Sequence, residues 1–227
     1  MTTILAHRAN LNGPHSVVEN SLAACVGALA EGFGLETDLR RDGHGAFYIS
    51  HDAHPRSVEN GLEAYTELFG QFPSAELAIN VKELGYEPAL VELMNSGRLG
   101  KRSFFFDFEL LEPATPGAAQ RKIKSLVNGG GVRVASRLSD RNETLSQCLS
   151  IPAEVVWADE FDGLWMTEKE AAAVRASGRL LYMISPELHG FDLAAMKRRW
   201  RDFKSWGVDG VCTDYPLEAR EFFDRLI

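Results

Sequence analysis

The sequence predicts an α/β protein built as a single parallel (β/α)8 barrel of the TIM type, and three observations predict it. Short β-rich apolar runs alternate with helix-patterned stretches along the whole chain; eight such pairs can be placed; and 227 residues, 45% hydrophobic and 25% charged, suffice for one large core. A doubly wound open sheet would show the same alternation, because periodicity alone does not show whether a sheet closes. We expect one barrel domain over 1–227, with no linker, low-complexity stretch or repeat interrupting it.

The first unit is a strand over 3–6 and a helix over 19–31 with Gly32 beyond its end; the second is a strand over 33–39 and a helix over 58–69. The third pairs 77–81 with 87–96, and the fourth 103–107 with 118–127, after which "NGGG" at 128–131 reads as a flexible loop. A strand over 132–135 precedes a helix over 143–149 capped by Asn142, and a strand over 154–158 precedes one over 167–177, capped by Thr167 and followed by Gly178. The seventh unit is 180–184 with 193–206, ended by Gly207, and the eighth is 210–213 with 217–226, which Pro216 introduces at its first turn. In the basic run "KRRWRDFK", Leu193, Met196, Trp200 and Phe203 recur at helical spacing, so Lys197, Arg198, Arg199, Arg201 and Lys204 are expected on solvated faces.

Charge narrows the partners. A net charge of −8 and a pI near 5.3 give no basic footprint for nucleic acid and would be repelled by anionic membranes, so a small molecule is the expected partner. "MTTILAHRAN" has neither a signal-peptide core nor a spanning segment, and we expect a cytoplasmic protein. Cys25, Cys148 and Cys212 are far apart in apolar surroundings and read as buried thiols.

In "LETDLRRDGHGAFYISHD", Glu36 and Asp38 stand at i and i+2 and so point to the same side of the second strand. If that side faces inward, two carboxylates enter a barrel core, which calls either for basic partners or for a hard divalent cation with oxygen ligands. Other strand ends lead to the same rim: His7-Arg8 closes the first strand, His51-Asp52 follows the second through a glycine-bearing turn, and "INVKE" brings Asn80 and Lys82 to one side of the third. Two histidines can divide general acid and base duties, a cation with Lys82 and Arg8 can hold a phosphate, and the carboxylates can hold the cation.

"AHRAN" followed by "VVENSLAACVGALAEGFGLETDLRRDGHGAFYISHD" resembles the opening of the glycerophosphodiester phosphodiesterase family, whose pattern runs His-Arg-Gly, Glu-Asn-Thr, Glu-x-Asp, Asp-Gly and His-Asp, and "GVDGVCTDYP" resembles its last strand. The resemblance implies a (β/α)8 barrel and metal-assisted hydrolysis of a small-molecule phosphodiester with a glycerol-like alcohol on one side. It implies His7 and His51 as the acid/base pair, Arg8 as a phosphate contact and Lys82 as the lysine that neutralises the phosphate. It further implies Glu36 and Asp38 as metal ligands, and Glu19 and Asn20 as the residues that begin the first helix and shape the rim; the oxygen-rich ligation argues for Mg2+ or Ca2+ over zinc. Asn80 stands where the family has a third metal-binding glutamate, and Ala9 replaces the glycine after His-Arg. The stretch from His51 to Lys82 is too short for the family's inserted subdomain, and "MISPELHG" replaces its Trp-x-x-Asn ending.

Downstream, Asp107, Glu109, Arg133, Arg137, Asp159, Glu187 and His189 lie within reach of the rim, with capping or surface roles expected of each, and Trp157 and Trp165 are expected between helices and sheet. The expected activity is phosphodiester hydrolysis. Two rivals are a Schiff-base aldolase or isomerase using Lys82 and a noncatalytic binder of phosphate ligands.

Overall fold

The structure is a computed structural model that describes residues 1–127 and 131–224; most of the predicted 128–131 loop lies outside the described residues. In chain order the elements are β1 (Thr3–His7), α1 (Leu22–Ala30), β2 (Gly34–Arg41), β3 (Phe47–Ile49), α2 (Leu62–Gln71), β4 (Leu77–Val81), α3 (Glu87–Asn95), β5 (Phe104–Phe106) and α4 (Phe108–Leu111). They continue with α5 (Ala118–Leu126), β6 (Arg133–Ser139), α6 (Leu145–Ser150), β7 (Val155–Asp159), α7 (Glu168–Ala176), β8 (Leu180–Ile184), a 3-10 turn (Pro186–His189), α8 (Leu193–Trp206), β9 (Gly210–Thr213) and α9 (Pro216–Asp224). Eight strands pair in parallel in the order β1-β9-β8-β7-β6-β5-β4-β2, and β1 pairs with β2, so the sheet closes into the expected barrel. The open-sheet alternative is thereby excluded. The ninth strand, β3, folds back antiparallel on the end of β2 and was not expected.

The alternation of side chains along each strand divides the barrel into two cores. Leu35, Ile79, Phe105, Val134, Val156 and Met183 pack outward against the helices, whereas Leu5, Ala78, Phe104, Phe106, Ala135, Trp157, Tyr182 and Cys212 fill the interior. Phe106 and Trp157 meet in a tilted arrangement with ring centroids 4.1 Å apart, and Phe104 and Tyr182 meet at 5.3 Å. Trp157 therefore sits inside the barrel, not between sheet and helices as expected. The Tyr182 ring occupies the space beside Gly210, where a Cβ would come within 2.1 Å of it, so only glycine fits at that strand position.

The helix ends mostly follow their chemistry. Thr167 caps α7 in a full capping box, Gly207 ends α8 at φ 65°, and Pro216 opens α9. Helix α6 starts after Thr144, which forms its own capping box, and not after Asn142, because Thr144 has Gln147 three residues on to return the bond. Along α8 the apolar stripe is as expected except at Leu193, which is exposed; mid-helix, Arg199, expected on a solvated face, is buried, its guanidinium bonded to Glu160 and to the Met166 carbonyl. Buried Arg199 thus ties α8 to the loop after β7 instead of facing solvent. No helix among the described residues is long and apolar enough to cross a membrane.

Candidate active site

The inward parity that buries Leu5 on β1 and Gly34 on β2 brings His7, Glu36 and Asp38 inward at the carboxyl ends, and the register sets His7 beside Glu36 and Asp38 beside Asn80. His7 Nδ1 lies 2.8 Å from Asp214 Oδ1, one residue past β9, and Asn10 Nδ2 donates to the same oxygen at 2.9 Å. With Nδ1–H donated to Asp214, the lone pair of the neutral ring is on Nε2, which faces Glu36 Oε2 at 3.9 Å. Burial pulls the His7 pKa down, but the Asp214 hydrogen bond and the charges of Glu36 and Asp214 outweigh it and hold His7 above the ordinary histidine value.

The two carboxylates of β2 have opposite characters. Asp38 is buried, yet Lys82 Nζ at 2.8 Å, Arg8 Nε at 3.4 Å and the Asn20 amide at 2.8 Å hold its pKa below the usual carboxylate range. Glu36 has no such close cation, and burial together with the Asp38 charge pushes its pKa up to about 7.

Short-range backbone strain positions both. Arg8 and Ala9 adopt φ of 47° and 64°, which turns the chain sharply at the end of β1 and brings the Arg8 N–H to the Glu36 carbonyl (3.1 Å) and carboxylate (3.3 Å). Glycine would take the Ala9 conformation without strain. Asn20, also left-handed at 59°, bridges Asp38 and the Thr37 hydroxyl, while Glu19 accepts from Arg8 and Asn10. Glu19 and Asn20 lie in the turn ahead of α1, not within it.

His7, Arg8, Glu36, Asn80, Lys82 and His51 line one cavity of about 280 Å³. Asp38 is not part of its wall and stands engaged by Lys82, Arg8 and Asn20. The His51 ring is 44% exposed, with Nδ1 on Asp52 at 2.8 Å. Asn80 donates its amide N–H to Asp107 Oδ2 at 2.9 Å. Lys82 is ion-paired with Asp38, a carboxylate that favours its charged form, whereas the Schiff-base alternative needs a neutral amine.

The other half of the cavity wall comes from residues for which capping or surface roles were expected. Arg137 on β6, 1% exposed, bridges Asp107 and Asp159, and Asp159 in turn pairs with His189 of the 3-10 turn. Glu109 is buried against Gln120 and the Arg137 N–H, Arg133 pairs with Glu76 at the opposite end of the barrel, and Glu187 caps Thr213 and the Asp214 N–H. Asp214 was not singled out from the sequence; its signal was an acid one residue past the last strand, on the rim.

The donor set can be tested for a divalent cation. Among the described residues no three His, Cys, Asp or Glu side chains group as a metal centre. The oxygens of the sequence-predicted set are those of Glu36, Asp38 and the Asn80 amide, and Asp107, bonded to Asn80, adds a carboxylate beside them, all hard donors. Glu36, buried and without a close cation, has the character of a ligand whose partner is a positive charge, and a hard cation therefore fits.

No protein-family model and no curated protein matches the chain. Solved structures of similar fold include a candidate glycerophosphodiester phosphodiesterase from Galdieria sulphuraria, with a TM-score of 0.76, 16% identity and 99% of this chain and 98% of that chain covered. A glycerophosphoryl diester phosphodiesterase from Parabacteroides distasonis gives 0.69, 12%, 98% and 86%, and a glycerophosphodiester phosphodiesterase from Thermotoga maritima gives 0.60, 16%, 95% and 96%. Such likeness at low identity establishes a shared barrel fold.

Proposed function

We propose that this chain is a metal-dependent phosphodiesterase of the glycerophosphodiester type, working as one barrel domain in the cytoplasm on a small-molecule substrate. One observation carries the reading: a His7–Asp214 dyad opens onto a cavity that it shares with Arg8, Lys82, His51 and the buried Glu36. The names of the solved structures that share the fold support it.

Arg8 and Lys82 contact the phosphate, exchanging part of their bonding to Asp38 for the more mobile anion. His7 takes or gives a proton at Nε2 while Asp214 holds its ring and stabilises the imidazolium, and His51 serves the opposite step. Glu36, Asp38 and Asn80 would hold Mg2+ or Ca2+, which would supply Lewis-acid polarisation of the phosphate. A panel of glycerophosphodiesters assayed with magnesium, calcium or manganese and after chelation tests the proposal. Cation-dependent release of alcohol is expected; intact substrates at high protein concentration with every cation would overturn it.

A further inference from the structure

Glu187, in the 3-10 turn after β8, is a mostly buried carboxylate that the chemistry just described leaves unused. Three donors meet it: the Ser185 hydroxyl at Oε2, and the Thr213 hydroxyl and Asp214 N–H at Oε1. Each hydroxyl has its direction fixed from behind. Trp200 Nε1–H donates to Ser185 Oγ at 2.7 Å and the Tyr215 N–H to Thr213 Oγ1 at 3.0 Å, so both hydroxyl hydrogens are free to point at Glu187. A group that receives three donors acts as an acceptor throughout, which is the role of an ionised carboxylate. The last β8–β9 pair is Ile184 with Cys212, and the Ser185 N–H still reaches the Cys212 carbonyl at 2.9 Å. The Asp214 N–H lies beyond that ladder and finds its acceptor in Glu187 at 3.2 Å. Glu187 thus holds the backbone of the residue whose side chain holds His7.

We infer that Glu187 is a positioning residue for the His7–Asp214 dyad, fixing the backbone of Asp214 so that its carboxylate meets His7 Nδ1; the inference rests on the phosphodiesterase reading. Four contacts grip Asp214: Glu187 on its N–H, the Gly13 N–H on its carbonyl at 2.8 Å, and Asn10 and His7 on Oδ1. Asn10 and Gly13 belong to the segment that continues from His7 itself, so of the four only Glu187 ties Asp214 to the β8 side of the barrel. Through Ser185 and the fully buried Trp200 that tie runs on to α8, so its anchor is the packed core. Without Glu187 the Thr213 hydroxyl and the Asp214 N–H, both on buried residues, lose their acceptor, and the strand end relieves that cost by shifting or by admitting water. Either response moves the carboxylate off His7, and a misplacement of about 1 Å at a reacting group costs on the order of 100-fold in rate. Glu187 lies in "MISPELHG", the segment that departs from the family resemblance.

Three variants and one spectrum decide the matter. Glu187→Met keeps the volume and removes both acceptor oxygens, Glu187→Asp keeps the charge and shortens the reach, and Glu187→Gln keeps an amide oxygen for Thr213 and the Asp214 N–H. On a glycerophosphodiester with magnesium, Glu187→Met and Glu187→Asp should lower kcat about tenfold with KM within roughly twofold, and Glu187→Gln should stay within about threefold of wild type. In a His7→Ala background Glu187→Met should add no further loss, because it acts through His7. In proton NMR spectra of protein carrying isotope-labelled histidine, the His7 Nδ1–H resonance should persist in wild type and Glu187→Gln and be lost to exchange in Glu187→Met. Wild-type kcat in Glu187→Met and Glu187→Asp, a Gln variant no better than Met, a full further loss in the His7→Ala background, or an unchanged His7 resonance in Glu187→Met would each overturn the inference. If Glu187→Met fails to fold, Glu187→Asp carries the same comparisons. The resonance is read without substrate, so a wild-type protein that cleaves no phosphodiester would sink the phosphodiesterase reading while the spectrum still decides whether Glu187 positions the dyad.

Discussion

At the scale of single residues, His7 and Glu36 carry the most testable chemistry. His7 owes its orientation to Asp214, so His7→Ala should lower kcat by about 100-fold or more and Asp214→Asn by a smaller factor through a misheld ring. His51→Ala should act similarly to His7→Ala, and the double change should be little worse than the poorer single one, since paired acid and base work as a unit. Circular dichroism guards against unfolding, and near-normal turnover in either histidine variant would remove it from the mechanism. Glu36 makes a separate prediction about stability. Its folded pKa of about 7 lies above the ordinary glutamate value of 4.5, so its contribution is fully present below pH 4.5 and is lost as pH rises through 7. Without divalent cation, Glu36→Gln should remove that slope and be more stable than wild type at pH 8 by on the order of 2 kcal/mol. Urea melts in chelator at pH 5 and pH 8 measure it: parallel shifts of the two proteins with pH would show that Glu36 is already compensated. Magnesium or calcium at pH 8 should then stabilise wild type and leave Glu36→Gln unmoved.

At the scale of elements, the strands supply a rigid inward parity and the residues just beyond them supply direction. The parity was legible because Glu36 and Asp38, and likewise Asn80 and Lys82, stand two apart within or just past a parallel strand, and the structure sets each pair toward the barrel axis. Beyond the strands the reading failed for physical reasons. Strand β3 has three residues, too few to show alternation, and its pairing on β2 is a long-range fact. Asp107 takes φ 69° and begins α4 at once, so a residue that resembled the end of a strand turns instead to meet Arg137. Asp214 and His189 act through partners 207 and 30 positions away, separations that no local pattern carries. The strands also make a packing prediction. Gly210→Ala would set a Cβ against the Tyr182 ring, and Gly34→Ala would set one 2.6 Å from the Glu76 carbonyl. Each should cost about 1–3 kcal/mol by overpacking the barrel interior, read from chemical denaturation. Tyr182→Phe in the Gly210→Ala background would recover little, because the ring edge and not the hydroxyl makes the close approach.

At the scale of the whole molecule, the barrel collects on one rim more acid than base. Glu36, Asp38, Asp107, Asp159 and Asp214 stand against Arg8, Lys82 and Arg137 as fixed cations, in a chain whose net charge is already −8. An anionic phosphodiester approaching that rim alone meets a repulsive field, and a divalent cation approaching alone meets an attractive one; in the donor set proposed above, Glu36 and Asp38 are its carboxylates and Asn80 its neutral ligand. On the proposed reading, cation and substrate should therefore improve each other's binding, and by linkage the factor is the same in both directions. Titration calorimetry of magnesium or calcium into the free protein and into its complex with a nonhydrolysable phosphodiester should show tighter cation binding in the complex, by roughly tenfold. If Asn80 stands at the ion as proposed, it should set the size of this coupling, since a glutamate there would add a negative charge. Asn80→Glu would also lose the amide bond to Asp107 and set two carboxylates together, which lowers the stability of the cation-free protein. That variant should bind the cation more tightly without substrate and show weaker coupling with it. The stability loss gives an internal control, because the added cation should reverse it if Asn80 is at the ion. Unchanged cation affinity, unchanged coupling and an instability that cation leaves uncorrected would together place Asn80 outside the metal's reach and leave its bond to Asp107 as its whole role.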